Sequence, residues 1–178
     1  MAQRTRSSKP NTPAPSANRA NGGENRPSPE EELLKKAERM LQDGEVEKAL
    51  ELVSRSKLKS PWVVNIMGVC LLRLGRAKAA ADLLRGIVLA AGGVTLRLDV
   101  PTAMKVNFAT ALLMSNNVDV CESVLNEIND AQHPMVKQIR EAIRRWRKSL
   151  SLWQKVRMLS GQQPDRPVEL DFAPGCLQ

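Results

Sequence analysis

A short pattern, stated three times along the chain, limits what this sequence can fold into. It is clearest over residues 61–91, where two apolar runs meet at Leu74, Gly75 and Arg76. The first run carries Val64, Met67, Gly68, Leu71 and Leu72, and the second Ala80, Leu83, Leu84, Ile87 and Val88. Both recur every three to four residues, the helix period. Gly75 stands where the first helix must end, and glycine accepts the left-handed backbone of such a cap. Gly68 and Ala80 are small enough to let two antiparallel helices approach closely. Pro61, Gly68, Leu71, Gly75, Ala80 and Leu84 are separated by seven, three, four, five and four positions. The same intervals counted from Glu30 select Ala37, Met40, Gly44, Ala49 and Val53; counted from Thr102 they select Ala109, Leu112, Asn116, Cys121 and Leu125. The order is the same each time: small, large, turn, small, large. Helices of about twelve residues are marginal alone in water, so hairpins built from them must stack on one another.

This pattern resembles the tetratricopeptide (TPR) repeat family, whose units are about 34 residues long, over roughly residues 30–133. Gly68 matches the family's small position in the first helix, and Ala49, Ala80 and Cys121 match the one in the second. The chain departs from the family at its usual tyrosine, here Met40, Leu71 and Leu112, and at its early tryptophan, here Leu33, Val64 and Lys105. The resemblance implies an all-α fold, a short right-handed solenoid of helical hairpins with about seven helices. Its units would cover 30–60, 61–91 and 102–133, with an insertion at 92–100. In that family the first helices of the units line a concave groove that holds a peptide. Carried over, the groove takes Leu34, Glu38 and Leu41 from the first unit, Trp62, Asn65, Val69 and Leu72 from the second, and Val106, Thr110 and Leu113 from the third. Relatives that clamp a terminal carboxylate use paired basic residues and asparagines. Here Asn65 fits, but Arg73 is the only nearby basic candidate. The implied groove is therefore apolar and suits a hydrophobic or amphipathic segment. Trp62 either anchors such a ligand or packs the start of its own hairpin.

The flanks read differently. Residues 1–29 are rich in Pro, Ser, Asn and Arg, with a net charge of +4 and no large apolar residue beyond Met1. Such a stretch cannot bury enough surface to offset chain entropy and is expected to be disordered. It lacks the apolar stretch of a secretory signal, and Pro10, Pro13 and Pro15 break any amphipathic transit helix. Ser28, Pro29 and Glu31 form a helix start with a capping box. The 92–100 insertion alternates Val94, Leu96, Leu98 and Val100 with polar residues. With no partner strand in view, it is expected to be an ordered loop packed on the solenoid edge. Val120, Val124, Leu125 and Ile128 are the expected buried stripe of the helix after Asn117. A single capping helix is expected over 134–159, its buried line running through Val136, Ile139, Ile143, Trp146, Leu150, Trp153 and Val156, with Gly161 as its C-cap. Residues 160–178 are expected to be a flexible tail in which Leu170 and Phe172 could dock.

Chemistry is sparse. Three cysteines, Cys70, Cys121 and Cys176, form no close pair and favour a reducing, cytoplasmic setting. His133, the single histidine, precedes Pro134 and fits a helix cap. There is no zinc ligand set, no phosphate loop and no catalytic constellation, so no cofactor and no enzyme activity is expected. What stands out is charge. Lys137, Arg140, Arg144, Arg145, Arg147, Lys148, Lys155 and Arg157 face only Glu141 in the same stretch, a net of +7 within 21 residues. The expected function is a non-enzymatic protein-interaction module, an adaptor or chaperone-like protein. The alternative is nucleic-acid or acidic-surface binding through the 137–157 face and the basic N-terminal tail.

Overall fold

The computed structural model describes residues 27–159, 162, 164 and 166–177. Eight helices appear among them: α1 (Pro29–Gln42), α2 (Val46–Arg55), α3 (Pro61–Arg73), α4 (Ala77–Val88), α5 (Thr102–Met114), α6 (Val118–Glu127), α7 (Pro134–Ser149) and α8 (Leu152–Leu159). They pack as consecutive hairpins, α1 on α2, α3 on α4 and α5 on α6, with α2 against α3 and α4 against α5. The first helices of successive hairpins also touch, α1 to α3, α3 to α5 and α5 to α7. No helix among the described residues is long and apolar enough to cross a membrane. The basic tail expected over 1–29 lies, apart from its last three residues, outside the described residues, as does the expected C-cap Gly161.

The three hairpin turns are built alike. Gly44, Gly75 and Asn116 all have left-handed backbones, with φ of 78, 71 and 62°. In each turn the residue that follows donates its N–H to the carbonyl five positions back: Glu45 to Met40, Arg76 to Leu71 and Asn117 to Leu112, at 2.8–2.9 Å. This six-to-one bond is the mark of a Schellman cap and satisfies carbonyls that the helix end would otherwise leave open. The small positions are all buried: Ala37, Ala49, Ala80, Ala109 and Cys121 and Gly68. At Gly68 an added methyl would lie 2.8 Å from Leu84 Cγ, so the leucine of α4 rests on the bare backbone of α3.

The helix starts follow the expected chemistry. Ser28 and Glu31 form a reciprocal capping box on α1. Ser60 Oγ accepts from Val63 N–H at 3.3 Å, and the same hydroxyl donates to Glu30. That bond ties the starts of α1 and α3 together. α5 is the most enclosed element, with ten of its 13 residues buried, because α3, α4, α6 and α7 all pack on it.

Three expectations need correction. The expected 134–159 helix is two helices. Ser149 Oγ bonds back to Trp146 C=O, Leu150 takes an extended backbone, and Ser151 with Gln154 forms a new capping box. Serine hydroxyls that bond to backbone compete with helix continuation, and here they end one helix and start the next. The buried line therefore stops at Leu150: Trp146 is buried, but Trp153 is 81% exposed and Val156 56%. In α6, Val120 is exposed, while Val124, Leu125 and Ile128 are buried. In the insertion, Leu96 and Val100 are buried, but Val94 and Leu98 face solvent. Leu89 and Leu96 form one antiparallel bridge, and Glu127 Oε2 accepts from Leu96 N–H at 2.9 Å, so the loop is fastened to the end of α6.

Two glycines on facing helices are expected to respond with opposite sign. Gly68→Leu overpacks the Leu84 contact and should lower stability by about 1–3 kcal/mol. Gly86, in α4, has nothing within 4 Å of an added methyl, so Gly86→Ala should raise stability by up to about 1 kcal/mol. Chemical denaturation of the two variants measures both.

Candidate functional site

Asn65, Asn107 and Thr110 are the buried polar side chains among the described residues. Thr110 is answered within its own helix, bonding to Val106 C=O. The two asparagines are answered differently. Asn107, in the middle of apolar α5, donates from Nδ2 to Asn65 Oδ1 of α3 at 2.9 Å. The same nitrogen donates to Cys176 C=O at 2.7 Å, and Asn107 Oδ1 accepts from Cys176 N–H at 2.8 Å. One side-chain amide thus holds both backbone groups of a residue 69 positions away. It behaves as a neighbouring strand would, and Asn65 sets its orientation.

The segment held this way is the expected flexible tail. Residues 166–177 lack helix or strand and touch α7, α5 and α3. Trp146 Nε1 of α7 donates to Arg166 C=O at 2.8 Å. Arg145 of α7 forks onto both oxygens of Asp171, at 2.7 and 2.6 Å. Cys176 meets α5, where its thiol lies 3.8 Å from Ala103 C=O. Gly175 lies on Val69 of α3, and Leu177 packs on the cluster that α1, α2 and α3 share. Val168 is buried, while Leu170 and Phe172 are half-buried against the main core. A cleft of about 340 Å³ remains between α7 and the segment, beside Trp146 and Leu170.

Charge and burial act here in plain ways. The hydrogen bonds from Arg145 hold the Asp171 carboxyl below the usual carboxylate range. Both partners are exposed to solvent, so salt screens the pair. Burial pushes the Cys176 thiol up to about 11, Cys70 to about 11 and Cys121 to about 12. None of the three is a poised nucleophile.

The residues expected to line the groove are placed as follows. Asn65 and Val69 meet the C-terminal segment. Leu41, Leu72, Val106, Thr110 and Leu113 are buried in the two core clusters or beside them and form no open surface. Leu34 and Glu38 are half-buried on α1, and Trp62 is 44% exposed at the start of α3. Arg73 is committed elsewhere: its Nη1 donates to Leu41 C=O at 2.8 Å, closing the end of α1. It is a cap for α1 rather than a carboxylate ligand. Sequence reasoning placed Asn65 in the groove and Arg145 in the basic patch, and did not name Asn107 or Cys176 as site residues. Asn107 had a signal, a lone amide inside an otherwise apolar helix. Cys176 and the Arg145–Asp171 pair had none, since their roles depend on contacts made across the fold.

The basic residues of α7 and α8 are partly spent. Arg140 donates to Leu125 C=O and Asn126 at the end of α6. Arg144 pairs with Glu141, Arg145 with Asp171 and Arg147 with Glu122. Lys137, Lys148 and Lys155 have no ion-pair partner among the described residues, and Arg157 is engaged. Arg140, Arg144, Arg147, Lys148 and Lys155 line one cleft of about 370 Å³ with Glu122 and Ile143. Beside it, α8 turns Leu152, Trp153 and Val156 to solvent.

No family model, curated protein or solved structure matches this chain. What it does must be argued from its own residues.

Removing the amide tests this geometry. Asn107→Ala leaves Asn65 and the Cys176 backbone without their partner, and an unsatisfied buried polar group costs about 1–3 kcal/mol. Urea unfolding should show a loss of that size, while Asn126→Ala on the exposed end of α6 should show little.

Proposed function

We propose that this chain is a TPR-like, right-handed helical solenoid that works as a non-enzymatic protein-interaction module in a reducing, cytoplasmic setting. It binds a segment of another protein across α3, α5 and α7, as an adaptor or a chaperone-like protein does. One observation carries this reading: the buried Asn65–Asn107 pair, whose amide takes a backbone N–H and C=O from a non-helical segment on the inner face. Backbone groups held by a side-chain amide supply affinity without dictating sequence, and flanking contacts supply specificity. The repeated Schellman turns and the close approach at Gly68 support the TPR-like assignment. Panning a phage-displayed random peptide library against the full chain tests it. Peptides should be enriched, and their binding to a chain whose own segment is unseated by Gly175→Val should fall about tenfold or more when Asn107→Ala is added, the equivalent of about 1.4 kcal/mol. A library that yields nothing, or binders indifferent to Asn107, contradicts the reading.

A second reading rests on the cleft between α6, α7 and α8, where five basic side chains converge on one side of the molecule. It would take a polyanion such as a nucleic acid, with the basic N-terminal tail assisting. Each phosphate neutralised steepens the salt dependence by about one unit. Anisotropy with random RNA and DNA at two salt concentrations should then show binding that weakens as salt rises and is lost in Lys148→Glu/Lys155→Glu. No binding at low salt removes this reading.

A further inference from the structure

The site described above is already occupied, by the chain itself. We infer that residues 169–177 are a built-in competitor, and that the partner segment displacing them carries the same chemistry: a carboxylate for Arg145, apolar side chains beside it, and a glycine over Val69 next to the residue Asn107 holds. This rests on the reading of the inner face as a segment-binding site.

Three contacts define that chemistry, and each asks for something different. Asn107 asks only for a backbone. Arg145 asks for a planar carboxylate, since both nitrogens of its fork are used on Asp171. The Gly175 position admits no side chain, for two separate reasons. Its φ of +86° is a backbone that L-residues rarely adopt, and an added methyl would meet Cγ1, Cγ2 and Cβ of Val69 at 3.0–3.3 Å. Val69 is fully buried, and a β-branched side chain has little room to turn away. Leu170 and Phe172 add apolar contact on the side of α7.

The occupant is held loosely by comparison with the core. Leu170, Phe172, Cys176 and Leu177 are only partly buried, whereas the α3 and α5 side chains beneath are fully so. The Arg145–Asp171 pair is open to solvent, and such pairs contribute little. What the segment has is attachment. A tethered ligand competes at an effective concentration of roughly millimolar, so an external segment must outdo it or arrive where it has been loosened. If the segment leaves, the Asn65–Asn107 pair is left facing an empty track, so the site favours exchange of one segment for another over standing open.

The tail carries its own reporter. Cys176 is half-buried when seated, and its thiol is held up to about 11 by that burial. Release returns it toward the ordinary thiol range, where alkylation is faster. Cys70 and Cys121 are buried in the core and report unfolding instead.

The experiment uses the full chain and a synthetic peptide of residues 166–177 bearing Cys176→Ser. Alkylation of each cysteine is followed by mass spectrometry, and peptide binding by calorimetry. The peptide should speed alkylation of Cys176 by about tenfold or more and leave Cys70 and Cys121 unchanged. A peptide carrying Gly175→Val should neither bind nor speed the alkylation of Cys176. A full chain carrying Gly175→Val should bind the unmodified peptide about tenfold or more tightly than the parent does, because the competing state is removed. Equal affinity for both chains, with Cys176 alkylation unmoved, overturns the competition but leaves the segment-binding reading standing. No binding by either chain overturns both. A mass that doubles with concentration and falls back in the Gly175→Val chain would show the segment exchanged between copies, and would overturn the internal seat.

Discussion

Close approach of short helices is what the rest of this molecule depends on. None of the helices in the three hairpins exceeds 14 residues, and helices of that length hold little structure in water unaided. They become stable where a backbone without bulk lets a partner leucine settle against it, as Leu84 does on Gly68. Dispersion between atoms falls off steeply with distance, so a side chain that reaches the partner's backbone without a gap keeps contacts that a void would forfeit. The left-handed turns serve the same end. By closing each hairpin in three residues, they bring the second helix back along the first before the chain can diverge.

Stacking hairpins this way puts all the first helices on one side. α3 touches α5 and α5 touches α7, and the C-terminal segment makes contacts to all three. In an apolar surface of that kind an amide is expensive to leave unpaired. The molecule meets this by pairing Asn65 with Asn107 and giving the remaining capacity of Asn107 to a backbone. The same two residues therefore account for a polar group in the core and for a site that accepts main chain. One hydrogen-bond set both satisfies the buried amides and seats the C-terminal segment.

Much of the scaffold was legible in advance. The repeat intervals placed Ala37, Gly68 and Ala109 in the core and Gly44, Gly75 and Asn116 in turns, and capping chemistry gave a helix start at Ser28. Those features are local: they depend on the period of a helix and on which residues tolerate a cap. The break after Ser149 was also written locally, in Ser151 and Gln154, but seven apolar positions in helical register over 136–156 masked it. Periodicity shows that a face exists, and whether anything covers that face is a separate matter; α8 turns Trp153 outward. The site was less legible. Asn65 emerged through resemblance, whereas the bond from Arg73 to the Leu41 carbonyl joins two helices and has no local signal.

By itself, then, the sequence determined an all-helical chain of hairpins, their turns, their small contact positions and a strongly basic stretch over 137–157. These follow from short-range rules of helix period, capping and side-chain volume. Tertiary structure alone decided that Asn107 faces Asn65, that Arg145 meets Asp171, and that the Gly175 region lies on Val69. Those pairings join residues that are 26 to 106 positions apart, and no local propensity carries information across such separations. Contacts of that kind exist only once the hairpins have stacked and the inner face has been formed.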